Sequence, residues 1–154
     1  MPKVDIDKAV ARTTSNYPAP FLPVVAGRER MALGNLVGLT QLGVNLTRLK
    51  PGAASALRHW HDNEDEFVYV LQGEITLIED QGETLLRVGE AAGFKAGVPN
   101  GHHLVNKSDR DAVYLEVGTC SERERAHYPD DDLACTKDGK DFIFTHKSGD
   151  PYGE

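Results

Sequence analysis

A succession of short runs with period-two alternation, each closed by a turn, constrains this chain most. Val44-Asn45-Leu46-Thr47-Arg48-Leu49 alternates and stops at Lys50-Pro51-Gly52. Leu57 to His61 and Phe67 to Leu71 follow, and Gln72-Gly73-Glu74 turns the chain into Ile75 to Ile78. Glu79-Asp80-Gln81-Gly82 reverses it into Thr84 to Val88, which predicts a hairpin. Gly89-Glu90 leads to Ala91–Lys95, a loop over 96–101 leads to a strand over His102–Asn106, and Ala112 to Val117 is the last core strand. Side chains at this period alternate between two faces. Short strands so spaced, with a turn between each, indicate an all-β sandwich or barrel. Fifteen glycines and eight prolines in 154 residues supply the turns.

Both ends of the chain lack that rhythm. Residues 1–41 read as an N-terminal arm. Within it Tyr17-Pro18-Ala19-Pro20-Phe21-Leu22-Pro23 is expected to be extended, because proline biases the preceding residue away from helix. Its aromatic and aliphatic members suggest an arm packed on a surface, this chain's or a partner's. Val25 to Leu33 is expected to hold a short helical turn before Gly34. Residues 119–154 form a C-terminal extension. Asp130-Asp131-Asp132 reads as a solvated turn, and Lys137-Asp138-Gly139-Lys140 predicts a hairpin before Phe142-Ile143-Phe144. One domain over 1–154, with its barrel core at about 42–118, accounts for the length.

The net charge of −7 argues against a nucleic-acid partner, which wants a basic surface. No apolar run reaches a membrane span, so no membrane partner is expected. Met1 to Asp7 has no apolar segment of the secretory kind, and Cys120 and Cys135 make no disulfide framework. Free thiols and a cytoplasmic protein are the expectation.

The chemistry concentrates at His59-Trp60-His61-Asp62-Asn63-Glu64-Asp65-Glu66. On a strand His59 and His61 share a face while Arg58 and Trp60 take the other. A turn then returns Glu66 on the neighbouring strand. Two imidazole nitrogens and one carboxylate oxygen on one barrel wall suit a divalent transition metal. A lone histidine on a strand is more often a core or surface residue, and the spacing to Glu66 lifts this cluster above that. Further support stands at His102 and His103.

These residues carry a resemblance to the cupin superfamily. Gly52, His59-Trp60-His61, Glu66 and Gly73 match its first motif, with one extra residue in the first spacer. Gly89, Gly97 and Asn106 fall at recognisable places of the second, while Lys95 stands where proline is usual and Asn100-Gly101 are inserted. The resemblance implies a double-stranded β-helix, a jelly-roll-like barrel. It also implies a 3-His/1-Glu site of His59, His61, Glu66 and His102 holding one divalent ion per chain: Zn, Ni, Fe or Mn. His102 lies four residues before Asn106 and shares parity with Leu104, which favours it over His103; a bulge at Gly101 would reverse that choice. The run His59 to Gly73, the segment Gly97 to Asp109 and Tyr128-Pro129-Asp130 look like small bacterial cupins commonly labelled sugar-phosphate isomerases.

Three readings compete. A metal-dependent isomerase of a sugar or sugar phosphate needs a group that moves a proton. Glu66 serves only if the metal does not hold it, and His103, Tyr69 and Lys95 are further candidates. Arg48, Arg58 and Lys95 are cations available to a phosphate. An iron-dependent dioxygenase or lyase uses the same ligand set. A non-enzymatic module that binds a small molecule predicts a filled pocket, whereas the enzymes need a cavity with convergent acids or bases. Trp60, Phe67 and Tyr69 are expected on the outward face, where an apolar row predicts a homodimer.

Overall fold

The computed structural model describes residues 2–153. It contains twelve strands in three antiparallel sheets. The first sheet runs β1 (Arg28–Ala32), β2 (Leu42–Leu49), β9 (Ala112–Thr119), β4 (Glu66–Gln72), β7 (Ala91–Phe94) in spatial order. The second runs β6 (Gly82–Arg87), β5 (Glu74–Glu79), β8 (His103–Val105), and the third β12 (Asp141–Thr145), β11 (Ala134–Asp138), β10 (Arg123–His127), β3 (Trp60–His61). The hairpins expected around Glu79-Asp80-Gln81-Gly82 and Lys137-Asp138-Gly139-Lys140 both form.

Alternation builds the barrel core. In β4, Val68 and Val70 are buried while Phe67, Tyr69 and Leu71 face out. Leu49, Ile75, Leu77, Leu86 and Leu104 join them in one apolar cluster with Tyr114. Burying each such aliphatic side chain contributes about 1.5–3 kcal/mol before entropy is charged. Gly73 shows why the first motif ends on glycine. Its φ is 72°, and an added Cβ would lie 2.6 Å from the Asp111 carbonyl oxygen.

A second core joins the two ends of the chain. Leu57, Ala126, Tyr128, Leu133 and Cys135 pack with Tyr17, Phe21, Val24, Phe144 and Tyr152. The aromatic rings meet edge to face, Tyr17 with Phe144 at 5.7 Å and Phe21 with Tyr152 at 5.5 Å. Cys120 is exposed, Cys135 is buried, and both are free.

Three local expectations are overturned. Ala19–Val25 is a 3₁₀-helix rather than extended. The φ of proline suits that helix as well as extended chain, and the Phe21 and Ala26 amides bond back to Pro18 and Pro23. The expected helical turn within Val25 to Leu33 is strand β1, because pairing with β2 from Arg28 to Ala32 outweighs local preference. The strand expected over Leu57 to His61 shortens to Trp60–His61. Before it the chain bends, the Leu57 amide donates to the Tyr17 hydroxyl, and His59 pairs only with His102.

Candidate metal centre

Each candidate ligand arrives on a different support. His61 lies on β3, and Glu66 opens β4. His59 and His102 form an isolated bridge in which each backbone amide bonds the other's carbonyl, at 3.1 and 2.9 Å. His102 is buried beside Leu104, as parity expects, while His103 turns its Nδ1 to the Ala56 carbonyl at 2.8 Å. Gly101 sits between Pro129 and Arg58, where an added Cβ would meet the proline ring at 2.9 Å.

The donor atoms of His59, His61 and Glu66 lie within 4.8 Å of one another. His102 joins them through Glu66, with its Nε2 2.7 Å from Oε2. Glu66 Oε1 is 3.6 Å from His61 Nε2, and Oε2 is 4.0 Å from His59 Nε2. Phe94 stacks on the His102 ring at 3.6 Å and fixes its plane.

The protonation pattern suits a cation. His59 Nδ1 donates to the Leu57 carbonyl at 2.7 Å, which leaves the Nε2 lone pair on the Glu66 side. Burial, opposed by the Glu66 charge, pulls His59 down to about 4, so it is neutral near pH 7. Burial alone would raise Glu66, but the bonds from His102 and His61 outweigh it and hold the carboxylate well below its usual range. Burial lowers His61, but Glu66, Glu124 and Glu64 together raise it more, so its net shift is upward. His102 Nε2 donates to Glu66 Oε2 at 2.7 Å, so a metal ion entering the cluster would take the place of that proton. Three imidazoles and one carboxylate fit a borderline transition metal better than Mg or Ca.

The cluster borders two cavities. The larger, of about 360 Å³, is also lined by Arg28, Arg30, His103, Tyr114 and Glu116. The smaller, of about 210 Å³, reaches Lys95, Asn100 and Trp60. Other candidates fall elsewhere. Tyr69 is on the outer face, 39% exposed, because it alternates with Val68 and Val70. Arg48 also faces outward, where it pairs with Asp111 at 3.3 Å. Arg58 is engaged by Asp130 at 2.8 Å, by Asp80 and by the Gly101 carbonyl, so it clamps loops.

Sequence reasoning missed Glu124. Its buried carboxylate accepts the Asp62 and Asn63 amides at 2.7 and 2.9 Å and lies 3.7 Å from His61 Nδ1. It stands 62 residues from Asp62, inside a charged stretch that reads as solvated. The cavity arginines Arg28 and Arg30 were missed as well. Their signal was the alternation of Arg28, Glu29 and Arg30, which reads equally well as a helical turn.

A family model described as Cupin domain matches residues 45–118. A cupin-superfamily sugar phosphate isomerase from Silicibacter pomeroyi is 45% identical, over 99% of this chain and 97% of that one, with a TM-score of 0.95. This chain therefore belongs to the cupin superfamily. A proposed sugar phosphate isomerase from Acidithiobacillus ferrooxidans is 25% identical over 82% of this chain and 81% of that one, with a TM-score of 0.74. The polyketide cyclase RemF from Streptomyces resistomycificus shares the fold at 21% identity, covering 79% of this chain and 80% of that one, with a TM-score of 0.65. No curated protein matches. Among the described residues no helix is long and apolar enough to cross a membrane.

Proposed function

We propose that this cupin is a metal-dependent isomerase of a sugar phosphate, with His59, His61, Glu66 and His102 as ligands. One observation carries the reading. The donor cluster faces an open cavity of about 360 Å³ whose largely apolar lining carries further polar side chains. The likeness to the Silicibacter pomeroyi protein supports the substrate class. A bound divalent ion would supply Lewis acidity toward carbonyl and hydroxyl oxygens.

The chain's own groups divide the remaining work. Glu66 is a weak base, because its partners hold the ionised form well below the usual carboxylate range. His103 suits proton transfer better. Its Nδ1 is engaged by the Ala56 carbonyl at 2.8 Å, which leaves Nε2 as the acceptor. Burial lowers its pKa and keeps it neutral. Phe94 and the aromatic lining limit water around the ligands.

Elemental analysis of the native protein beside His59→Ala tests the metal. About one transition-metal ion per chain in the native protein and none in the variant is expected. Aldose and ketose phosphates in D₂O then test the reaction by NMR. Interconversion is expected with the loaded protein and absent with His59→Ala, with solvent deuterium at aldose C2 or ketose C1 where His103 carries the proton. A fully loaded protein that interconverts no aldose and ketose phosphate removes the isomerase reading.

A further inference from the structure

Strand β1 directs two arginines inward. Arg28 and Arg30 share one face, while Glu29 between them points out to Lys50. Arg30, Thr47 and Tyr114 are direct cross-strand partners in one row over β1, β2 and β9. Strands β1 and β9 thus give Arg28, Arg30, Tyr114 and Glu116 to one wall of the cavity that also holds His59, His61, Glu66 and His102, with Thr47 of β2 buried behind them.

The charges on that wall do not cancel. Glu116 takes up Arg30 at 3.2 Å and accepts from Thr47 at 3.3 Å. Arg28 is 8% exposed, and its Nη1 bonds the Ser55 carbonyl. Among the described residues no carboxylate lies within ion-pair distance of Arg28. Burial and the neighbouring Arg30 lower its pKa more than Tyr114, Tyr17 and Glu116 raise it. On this wall two arginines stand against one glutamate, while Glu64, Glu66 and Glu124 border the cavity elsewhere, so the positive charge is local to the wall. A buried charge without an anionic partner is costly, and the single bond to the Ser55 carbonyl leaves the other donors of its guanidinium without a side-chain acceptor among the described residues. Two donors on the same wall are also idle. Arg30 Nε and the Tyr114 hydroxyl are buried without a hydrogen bond of normal geometry.

We propose that this wall is the subsite for an oxyanion on the substrate, a phosphate ester or a carboxylate, gripped by Arg28, Arg30 and Tyr114. The planar fork of arginine matches either group. The anion supplies the missing charge and an acceptor for the idle donors. The subsite rests on the reading of the neighbouring cluster as the reaction centre only in linking this anion to the substrate. It deepens that reading by naming how the distal end of the substrate is held.

Calorimetric titration of the full-length protein, metal-free and then metal-loaded, with inorganic phosphate and separately with acetate is the test. Wild type is expected to bind one of them in both states, and the preferred anion names the source. Arg28→Gln is expected to weaken that binding by about tenfold or more. Tyr114→Phe, which keeps the ring in place, is expected to weaken it less. Arg48→Gln, on the outer face, is expected to bind like wild type. Without anion, Arg28→Gln is expected to melt at or above the wild-type temperature, because the unpaired charge is gone. A purely structural Arg28 predicts a fall in melting temperature with unchanged affinity in Tyr114→Phe, and that pair of results overturns the subsite. So does equal affinity in wild type and Arg28→Gln, or no binding of either anion. Anion binding without any metal uptake keeps the subsite and sinks the isomerase reading alone.

Discussion

The molecule has two cores, built in opposite ways. The barrel core is aliphatic, and its members fall on strands from β2 to β9 that mostly follow one another in sequence. The second core is aromatic, and it joins Tyr17 and Phe21 near one end of the chain to Phe144 and Tyr152 near the other. The first closes by strand pairing across the chain, with β9 seated between β2 and β4, and the second joins the consecutive hairpins of β10, β11 and β12 to the N-terminal arm. The second also bears on the candidate site, since β3, which carries His61, pairs with β10 rather than with the barrel strands. The barrel supplies a scaffold and Glu66, while the aromatic sheet sets the position of one imidazole.

The sharpest way to break this comparison is to truncate one buried aliphatic residue in each core. Ile75 is 1% exposed and Leu133 is 0% exposed. Each change to alanine is expected to cost about 2–5 kcal/mol in urea denaturation. Hydrogen exchange separates the two. Ile75→Ala should speed exchange throughout, and Leu133→Ala mainly in β3, β10, β11 and β12. Uniform acceleration in both variants means that the cores form one cooperative unit and the division is wrong.

Glu124→Gln tests the link between the aromatic sheet and the site. It puts an amide group against two backbone donors, with an expected cost of about 1–3 kcal/mol. Metal titration should show weaker uptake, because the Asp62-Asn63 turn beside His61 loses its anchor. Unchanged uptake would mean that β10 does not position His61.

The smallest effect lies in pH. In metal-free protein His59 sits near 4 against an ordinary 6.5, and burial lowers His103 too. Between those values the unfolded chain binds protons that the folded chain refuses, so stability falls on acidification. His61 is raised and acts in the other direction above 6.5, where stability falls as pH rises. The aromatic core is silent in acid, since Tyr17, Tyr128 and Cys135 are all shifted upward by burial, the thiol to about 11. Melting temperature against pH should therefore show an acid limb that flattens in His59→Ala. A limb of equal slope in both proteins would assign acid sensitivity elsewhere.

This contrast also explains what could be read from the sequence. The strands of the barrel were legible because period two survives wherever one face is buried and the next residue is not. Parity even separated His102, beside Leu104 in the interior, from His103. Strand β1 was not legible, because Arg28 and Arg30 are charged residues on an inward face and mimic a solvated turn. The 3₁₀-helix over Ala19–Val25 was missed because the φ of proline fits two conformations. Glu124 escaped because nothing local marks a carboxylate whose partners lie 62 residues away.

The bridge between His59 and His102 has a consequence for how the protein matures. The four candidate ligands depend on all three sheets: β3 in one, β4 in another, and the residue just before β8 in the third. Because β3 is held by β10, the set is complete only once residues 123–127 are paired, unlike the short local ligand set of a zinc finger. An ion that binds there would load after folding, and its identity would be set by the ions available to the finished barrel, not to the chain during its synthesis.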